Sequence, residues 1–402
     1  MSEEKNQVQD IILFFQGGAG DVIAASPCIR AARKAYPTDR IIVASTYAIL
    51  LENNPNIDFL IHLNKEHDVQ DFYETYILGK NVRFFKKFFP YDHILDTPSI
   101  GCKSLPEFIT NLYGFGEFFD NEFPDYYLTE YEKRAANNFI TQGQKPIVLL
   151  HVYGAVPSEG GIQKMVCGGC AGRGAGPDGT RCQACGGGGM VIIRDKTNSL
   201  KDLNPAALEP IIKKYYPHFT FLQIGLEGEP LVPGAIDCLG MPFRDTCALI
   251  QHPQVASFVF IESSFAHIAA AFRKKGVVVF QNTSPYFFGY PSAINYFENK
   301  ECCPLWPCNR PVGALMDFAP GYLNPKTRQR QLWNCKDQKC SKISPDKLLQ
   351  AFEKSLPDMW WSATSTHNPF VSDIMTVDKK EENTQEPKVG GQADSLEGAY
   401  SL

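Results

Sequence analysis

The chain predicts an α/β protein of two successive Rossmann-like domains facing one another across a cleft, with a small cysteine-rich insertion in the second. Three observations carry that expectation. Short apolar runs alternate with helical patterns in the order βαβα from residue 11 onward. The same alternation restarts after Gln142-Gly143-Gln144-Lys145-Pro146, whose composition reads as a hinge. Glycines and acidic residues follow predicted strands, at the carboxyl edges where open parallel sheets hold ligands. The 402 residues suffice for two cores, and 44% of them are hydrophobic.

The first unit, residues 1–142, opens with a predicted buried strand at residues 11–15, a turn containing Gly17, Gly18 and Gly20, and a helix whose start carries Asp21. Glycines let backbone N–H groups approach a ligand, and a helix N-terminus suits an anion or a working carboxylate. The alternative roles are a tight turn for the glycines and a helix cap for Asp21. Further strands are expected at residues 40–44, 57–63 and 91–96, with a helical stretch at 48–53. The aromatic-rich segment 68–90 reads as core and helix packing.

The second unit, residues 145–356, is expected to place strands at 147–152, 219–224, 257–261 and 276–280. Helices are expected at 205–215 and 243–251 and from Ser264 onward, following a helix at 130–140 that closes the first unit. Residues 362–402 read as a disordered acidic tail: from Asp373 on, seven acidic residues stand against three lysines with few large apolar groups.

A formal net charge of −5 argues against nucleic acid as a partner. There is no basic leader before an apolar run and no apolar stretch of membrane-spanning length, so a cytoplasmic protein with at most peripheral membrane contact is expected. Thirteen cysteines, eight in close pairs, favour metal over disulfide in such a compartment.

Four cysteines lie in an insertion spanning residues 160–192. Cys167, Cys170, Cys182 and Cys185 form two CxxC knuckles, and four thiolates complete a closed tetrahedral site of structural zinc. Both halves fit CxxCxGxG, so the insertion resembles one half of the cysteine-rich domain of DnaJ-type chaperones. A redox or metal-free loop is the other reading. A second cluster, at 302–340, offers Cys303, Cys308, Cys335 and Cys340 with looser spacing, and Cys302 as a spare. Zinc, iron and free core thiols all remain open there.

The run Gly17-Gly18-Ala19-Gly20-Asp21-Val22-Ile23-Ala24-Ala25-Ser26-Pro27 resembles the amino-terminal signature of glycosyltransferase family 9, the ADP-heptose transferases of bacterial surface sugars. Ile261-Glu262-Ser263-Ser264-Phe265-Ala266-His267 resembles its second signature, about 240 residues further on. The resemblance implies a GT-B arrangement, with the acceptor on the first domain and an ADP-sugar on the second. It implies Asp21 as the base on the acceptor hydroxyl, and Gly17, Gly18 and Gly20 as the acceptor-side loop. Glu262, Ser263, Ser264 and His267 would bind the donor, with Lys196 or Lys201 on its diphosphate. For His267, a core histidine is the competing reading. The chain departs from the family pattern in having Glu262 where Asp is usual and Ser264 where Gly is usual. The second cysteine cluster resembles an iron-binding finger of members that glycosylate autotransporters.

The activity so implied is inverting transfer of a sugar, heptose in the family, to a glycan, a lipid-linked sugar or a protein. An inactive glycosyltransferase-like scaffold acting through metal fingers is the alternative. A nicotinamide dehydrogenase fits less well, because the glycine turn lacks GxGxxG spacing and no ribose acid follows the second strand.

Overall fold

Two parallel sheets organise the computed structural model, which describes residues 9–15, 17–63, 70–86, 103–140, 145–154, 163–166, 190–193, 201–281, 283–298 and 342–356. The first sheet has the order β3-β2-β1-β4 and is parallel throughout. Its strands are β1 (Asp10–Phe15), β2 (Arg40–Ser45), β3 (Phe59–His62) and β4 (Val82–Lys86). β1 is an unbroken apolar run because both of its faces are covered. Ile11, Leu13 and Phe15 enter the main core, whereas Ile12 and Phe14 enter a smaller core with Phe72. Full burial of each such side chain contributes about 1.5–3 kcal/mol.

The aromatic segment departs from expectation. Residues 70–77 are helical, Tyr73–Ile77 of them as a π-helix, and Val82–Lys86 is a strand paired with β1. Its period of two sends Phe84 toward Phe14 and Phe72, and Phe85 toward Phe115 and Tyr36. An even density of aromatics masked that alternation. The expected strand at 91–96 lies outside the described residues.

The helix after β1 is two helices, α1 (Ala19–Ala24) and α2 (Ser26–Ala35), because Pro27 in the first turn of α2 cannot continue the α1 hydrogen-bond ladder. The region expected to be helical at 48–53 is a 3₁₀ turn at Ala48–Leu51. α3 (Leu105–Leu112), capped by Ser104 Oγ, covers the same face as α2, and Tyr113 Oη donates to the Phe14 carbonyl at 2.6 Å. α4 (Glu130–Phe139) begins with a capping box between Thr129 and Glu132.

The second sheet has the order β12-β11-β10-β5-β8-β9, all neighbours parallel. β5 (Ile147–His151) and β10 (Val255–Ile261) are its centre. β8 (Thr220–Gly225) and β9 (Ile236–Leu239) lie to one side, β11 (Val277–Val279) and β12 (Ile294–Tyr296) to the other. The edge strands β9 and β12 were not foreseen: each is three or four residues and only partly buried. The expected helix at 205–215 divides into a 3₁₀ turn and α5 (Glu209–Tyr215), with Pro210 in its first turn. α6 (Phe243–Gln251), α7 (Ser264–Ala271), a single-turn α8 (Pro285–Phe288) and α9 (Pro345–Ser355) complete this half.

Between β5 and α5, β6 (Gln163–Val166) pairs antiparallel with β7 (Met190–Ile193). The pairing of Val166 with Met190 brings the two ends of the intervening cysteine-bearing stretch together. Residues 167–189 and 299–341, with all eight predicted metal ligands, lie outside the described residues, as does the tail.

The two halves are joined side to side. Arg244 on α6 makes a buried ion pair with Glu132 on α4 and donates at 2.8 Å to the carbonyls of Ile49 and Tyr127. Phe108 meets Phe287 edge-on at 5.9 Å, and one hydrophobic core runs through both halves.

Candidate functional site

In each sheet the chain reverses direction of travel at one place, and ligands bind in the crevice that such a reversal opens. In the first sheet β2 and β3 lie on one side of β1 and β4 on the other, so the switch point is the carboxyl end of β1. Gly17 to Asp21 occupy that point. In the second sheet β8 and β9 leave β5 on one side and β10 lies on the other, so the switch point is between His151 and Glu262.

The first turn is shaped by its glycines. Gly17 has φ +132°, and a Cβ there would sit 2.8 Å from Asp21 Oδ2. Gly18 is extended and caps α1, its N–H donating to Asp21 Oδ2 at 2.8 Å. Asp21 therefore is a helix-capping residue, half-buried, in the first turn of α1. Gly20 lies against α7 of the other half: a Cβ on it would be 3.2 Å from His267 Cδ2 and 3.4 Å from Nε2.

The second switch point holds a tightly connected set. Lys201 Nζ donates to Glu262 Oε2 at 2.7 Å, and the Glu262 side chain is only 9% exposed. Burial raises the Glu262 pKa, but the charges of Lys201 and His267 and hydrogen bonds from Lys201 and Thr283 outweigh it, so the carboxyl is held below its ordinary value. Val279, Gln281 and Thr283 line the same recess. Ser263 stands at the N-cap position of α7, but its Oγ, instead of capping the helix, shares a 3.1 Å hydrogen bond with His151 Nδ1. His151 is buried edge-on against Phe265 at 4.9 Å. His267 is 3% exposed, and its Nδ1 shares a 2.6 Å hydrogen bond with Tyr290 Oη. Burial pushes the His267 pKa down to about 4, against the pull of Glu262 and with the repulsion of Lys201.

The predicted residues Gly17, Gly18, Gly20, Asp21, Lys201, Glu262, Ser263, Ser264 and His267 thus lie along the facing edges of the two sheets. Ser263 and His267 are one helical turn apart but are tied to different partners, His151 and Tyr290. Lys196 lies outside the described residues. Among the described residues no three His, Cys, Asp or Glu side chains gather as a metal site, and Cys28, Cys238 and Cys247 are free and buried. His151 was missed, although as the last residue of an apolar strand it stood where the strand-end rule points. Tyr290 had no such signal, being 23 residues from its partner. No helix among the described residues is long and apolar enough to cross a membrane.

The described residues thus form two parallel-stranded halves, each with one switch point at the carboxyl ends of its strands. Among solved structures the chain is similar to the glycosyl transferase family 9 protein of Veillonella parvula DSM 2008, at 14% identity over 86% of this chain and 96% of that one, with a TM-score of 0.53. It is similar also to the iron-containing dodecameric glycosyltransferase TibC of enterotoxigenic E. coli H10407, at 14% identity over 89% and 78% of the two chains, with a TM-score of 0.54. No family model and no curated protein sequence matches the chain.

Proposed function

We propose that the protein is a glycosyltransferase that moves a sugar, heptose by its sequence signatures, from an ADP-sugar to a hydroxyl of a glycan, lipid-linked sugar or protein, with inversion at the anomeric carbon. The observation that carries this reading is the meeting of Gly20 with His267, which sets the turn of Asp21 beside the helix start of Ser263 and Ser264. The acceptor hydroxyl attacks the anomeric carbon as Asp21 takes its proton, and the bond to the ADP oxygen breaks. Carboxylate proximity favours the oxocarbenium-like transition state as well as the proton transfer. The leaving diphosphate gains negative charge. Lys201 has ammonium protons beyond the one given to Glu262, and the first N–H groups of α7 and the His267 ring add further donors.

Asp21→Asn separates capping from catalysis, because an amide oxygen still accepts from Gly18 N–H but takes no proton. Calorimetry with ADP and turnover assays with a panel of nucleotide-sugars are expected to show wild-type-like ADP affinity and a loss of about 10²–10⁴ in transfer for this variant. Wild-type protein that neither binds ADP nor turns over any nucleotide-sugar would sink the proposal.

The scaffold reading draws on one observation: Lys201 and Glu262 already satisfy each other inside the chain. Under that reading the same panel gives no binding while the metal content is retained.

The four thiolates of Cys167, Cys170, Cys182 and Cys185 suit one structural zinc, and the Val166–Met190 pairing at the base of their segment supports a closed knuckle. Cys303, Cys308, Cys335 and Cys340 supply the same donor chemistry for zinc or iron. Neither ion takes part in the transfer step.

A further inference from the structure

The contact between His267 and Tyr290 specifies more than position. Both residues are 3% exposed, their rings stand at 88° with centroids 5.5 Å apart, and Tyr290 Oη lies 2.6 Å from His267 Nδ1. Tyr290 makes no other side-chain hydrogen bond among the described residues. If Nδ1 carried the proton it would donate to Oη, and the buried phenol O–H would have no acceptor, which costs about 1–3 kcal/mol. With Oη donating to Nδ1, both groups are satisfied and the neutral ring carries its proton on Nε2.

The opposite edge of the imidazole is pinned as well. Its Cδ2 and Nε2 atoms lie against Gly20, and Nε2 has no hydrogen-bond partner among the described residues. Phe123 stacks on the Tyr290 ring at 6.3 Å, and Asn295 Nδ2 donates to the Tyr290 backbone carbonyl at 3.1 Å, so the ring and the backbone that carries it are each held. The charged groups around the imidazole are Glu262 and Lys201, with Asp21 next to Gly20 on α1.

We infer that Tyr290 is a positioning residue: it locks His267 in the Nε2–H tautomer and so presents a permanent N–H donor at the junction of the two signature turns. His267 is then a stationary hydrogen-bond donor to a ligand oxygen and does not shuttle protons. The identity of that oxygen, a donor diphosphate, rests on the glycosyltransferase reading; the lock does not. The depressed histidine pKa, caused by burial, keeps the ring neutral, as the lock requires.

The test is nitrogen NMR of the full chain labelled with ¹⁵N-histidine, with the His267 signals assigned by their loss in His267→Gln. The expected wild-type spectrum shows a single neutral tautomer protonated at Nε2 and no titration of His267 between about pH 8 and pH 5. In Tyr290→Phe the proton is expected to distribute over both nitrogens, the ring to titrate at higher pH, and ADP affinity to fall about three- to tenfold. A wild-type ring protonated at Nδ1 overturns the inference without need of any variant. So does a Tyr290→Phe protein that keeps the pure Nε2–H tautomer, since a merely structural tyrosine would lower stability and leave the tautomer ratio alone. Failure of ADP to bind wild-type protein whose tautomer is locked as described removes the nucleotide-sugar reading and leaves the lock standing.

Discussion

Gly20 of the first half lies directly on the imidazole edge of His267 in the second, with room for no side chain between them: a Cβ would stand 3.2 Å from Cδ2. Because Tyr290 holds that ring from its other side, the imidazole cannot retreat. Gly20→Ala is therefore expected to destabilise the protein by about 1–2 kcal/mol despite the better helix propensity of alanine. Urea unfolding checks this, and a gain in stability would show that the two halves do not meet as described.

Gly17→Ala tests the neighbouring turn. Its φ of +132° disfavours any Cβ, and the added atom would lie 2.8 Å from Asp21 Oδ2. The carboxylate must move, so sugar transfer is expected to drop at least about tenfold with ADP affinity unchanged. Equal losses in both would place Gly17 on the nucleotide side.

Lys201→Met leaves the Glu262 carboxylate buried without its cation, at an expected cost of about 3 kcal/mol in unfolding free energy. Adding Glu262→Gln removes the stranded charge and is expected to restore most of that loss. A double variant no more stable than the single one would mean that Lys201 acts through packing of its stem.

Acid stability follows from His267. Its folded pKa, about 4, lies below the ordinary 6.5, so the unfolded chain binds more protons between those values. The sign is that stability is fully present above about pH 6.5 and falls as pH drops toward 4, by roughly 3 kcal/mol. His252, lowered by burial and by Lys274, adds in the same direction. Denaturation midpoints measured from pH 7 to pH 4 should fall, with a shallower slope in His267→Gln.

Arg244 and Glu132 join α6 to α4 across the halves through a buried, multiply bonded pair. A double-mutant cycle with Arg244→Met and Glu132→Gln is expected to give a coupling energy above about 1.5 kcal/mol. Additive effects would show that the capping of Thr129, and not the ion pair, is what Glu132 contributes.

For the insertion, about one zinc per chain is expected, lost on Cys167→Ser with Cys182→Ser. Metal analysis showing unchanged zinc in that double variant would remove the knuckle.

The strands were legible where burial imposes one pattern. The apolar runs of β1, β2, β5, β8 and β10 need both faces covered, and such runs announce themselves in composition. β4 was hidden because the adjacent Phe84 and Phe85, in a segment dense in aromatics, satisfy a helix and a strand alike, and only the pairing with β1 decides between them. The short edges β9 and β12 lack enough buried residues to leave any pattern.

For the turn at Gly17 to Asp21, sequence alone determined the strand, the glycine-rich reversal and an acidic residue in the first helical turn, since these depend on local backbone conformation. It determined equally the second switch-point motif at Glu262 to His267. What each side chain holds was decided only by the tertiary structure: Asp21 by Gly18, Glu262 by Lys201, Ser263 by His151 and His267 by Tyr290. Three of those four partners are 23 or more residues away, a separation over which no periodicity in a chain carries information. The fit of Gly20 against His267 is a property of two packed surfaces, and packing exists only once both halves have folded.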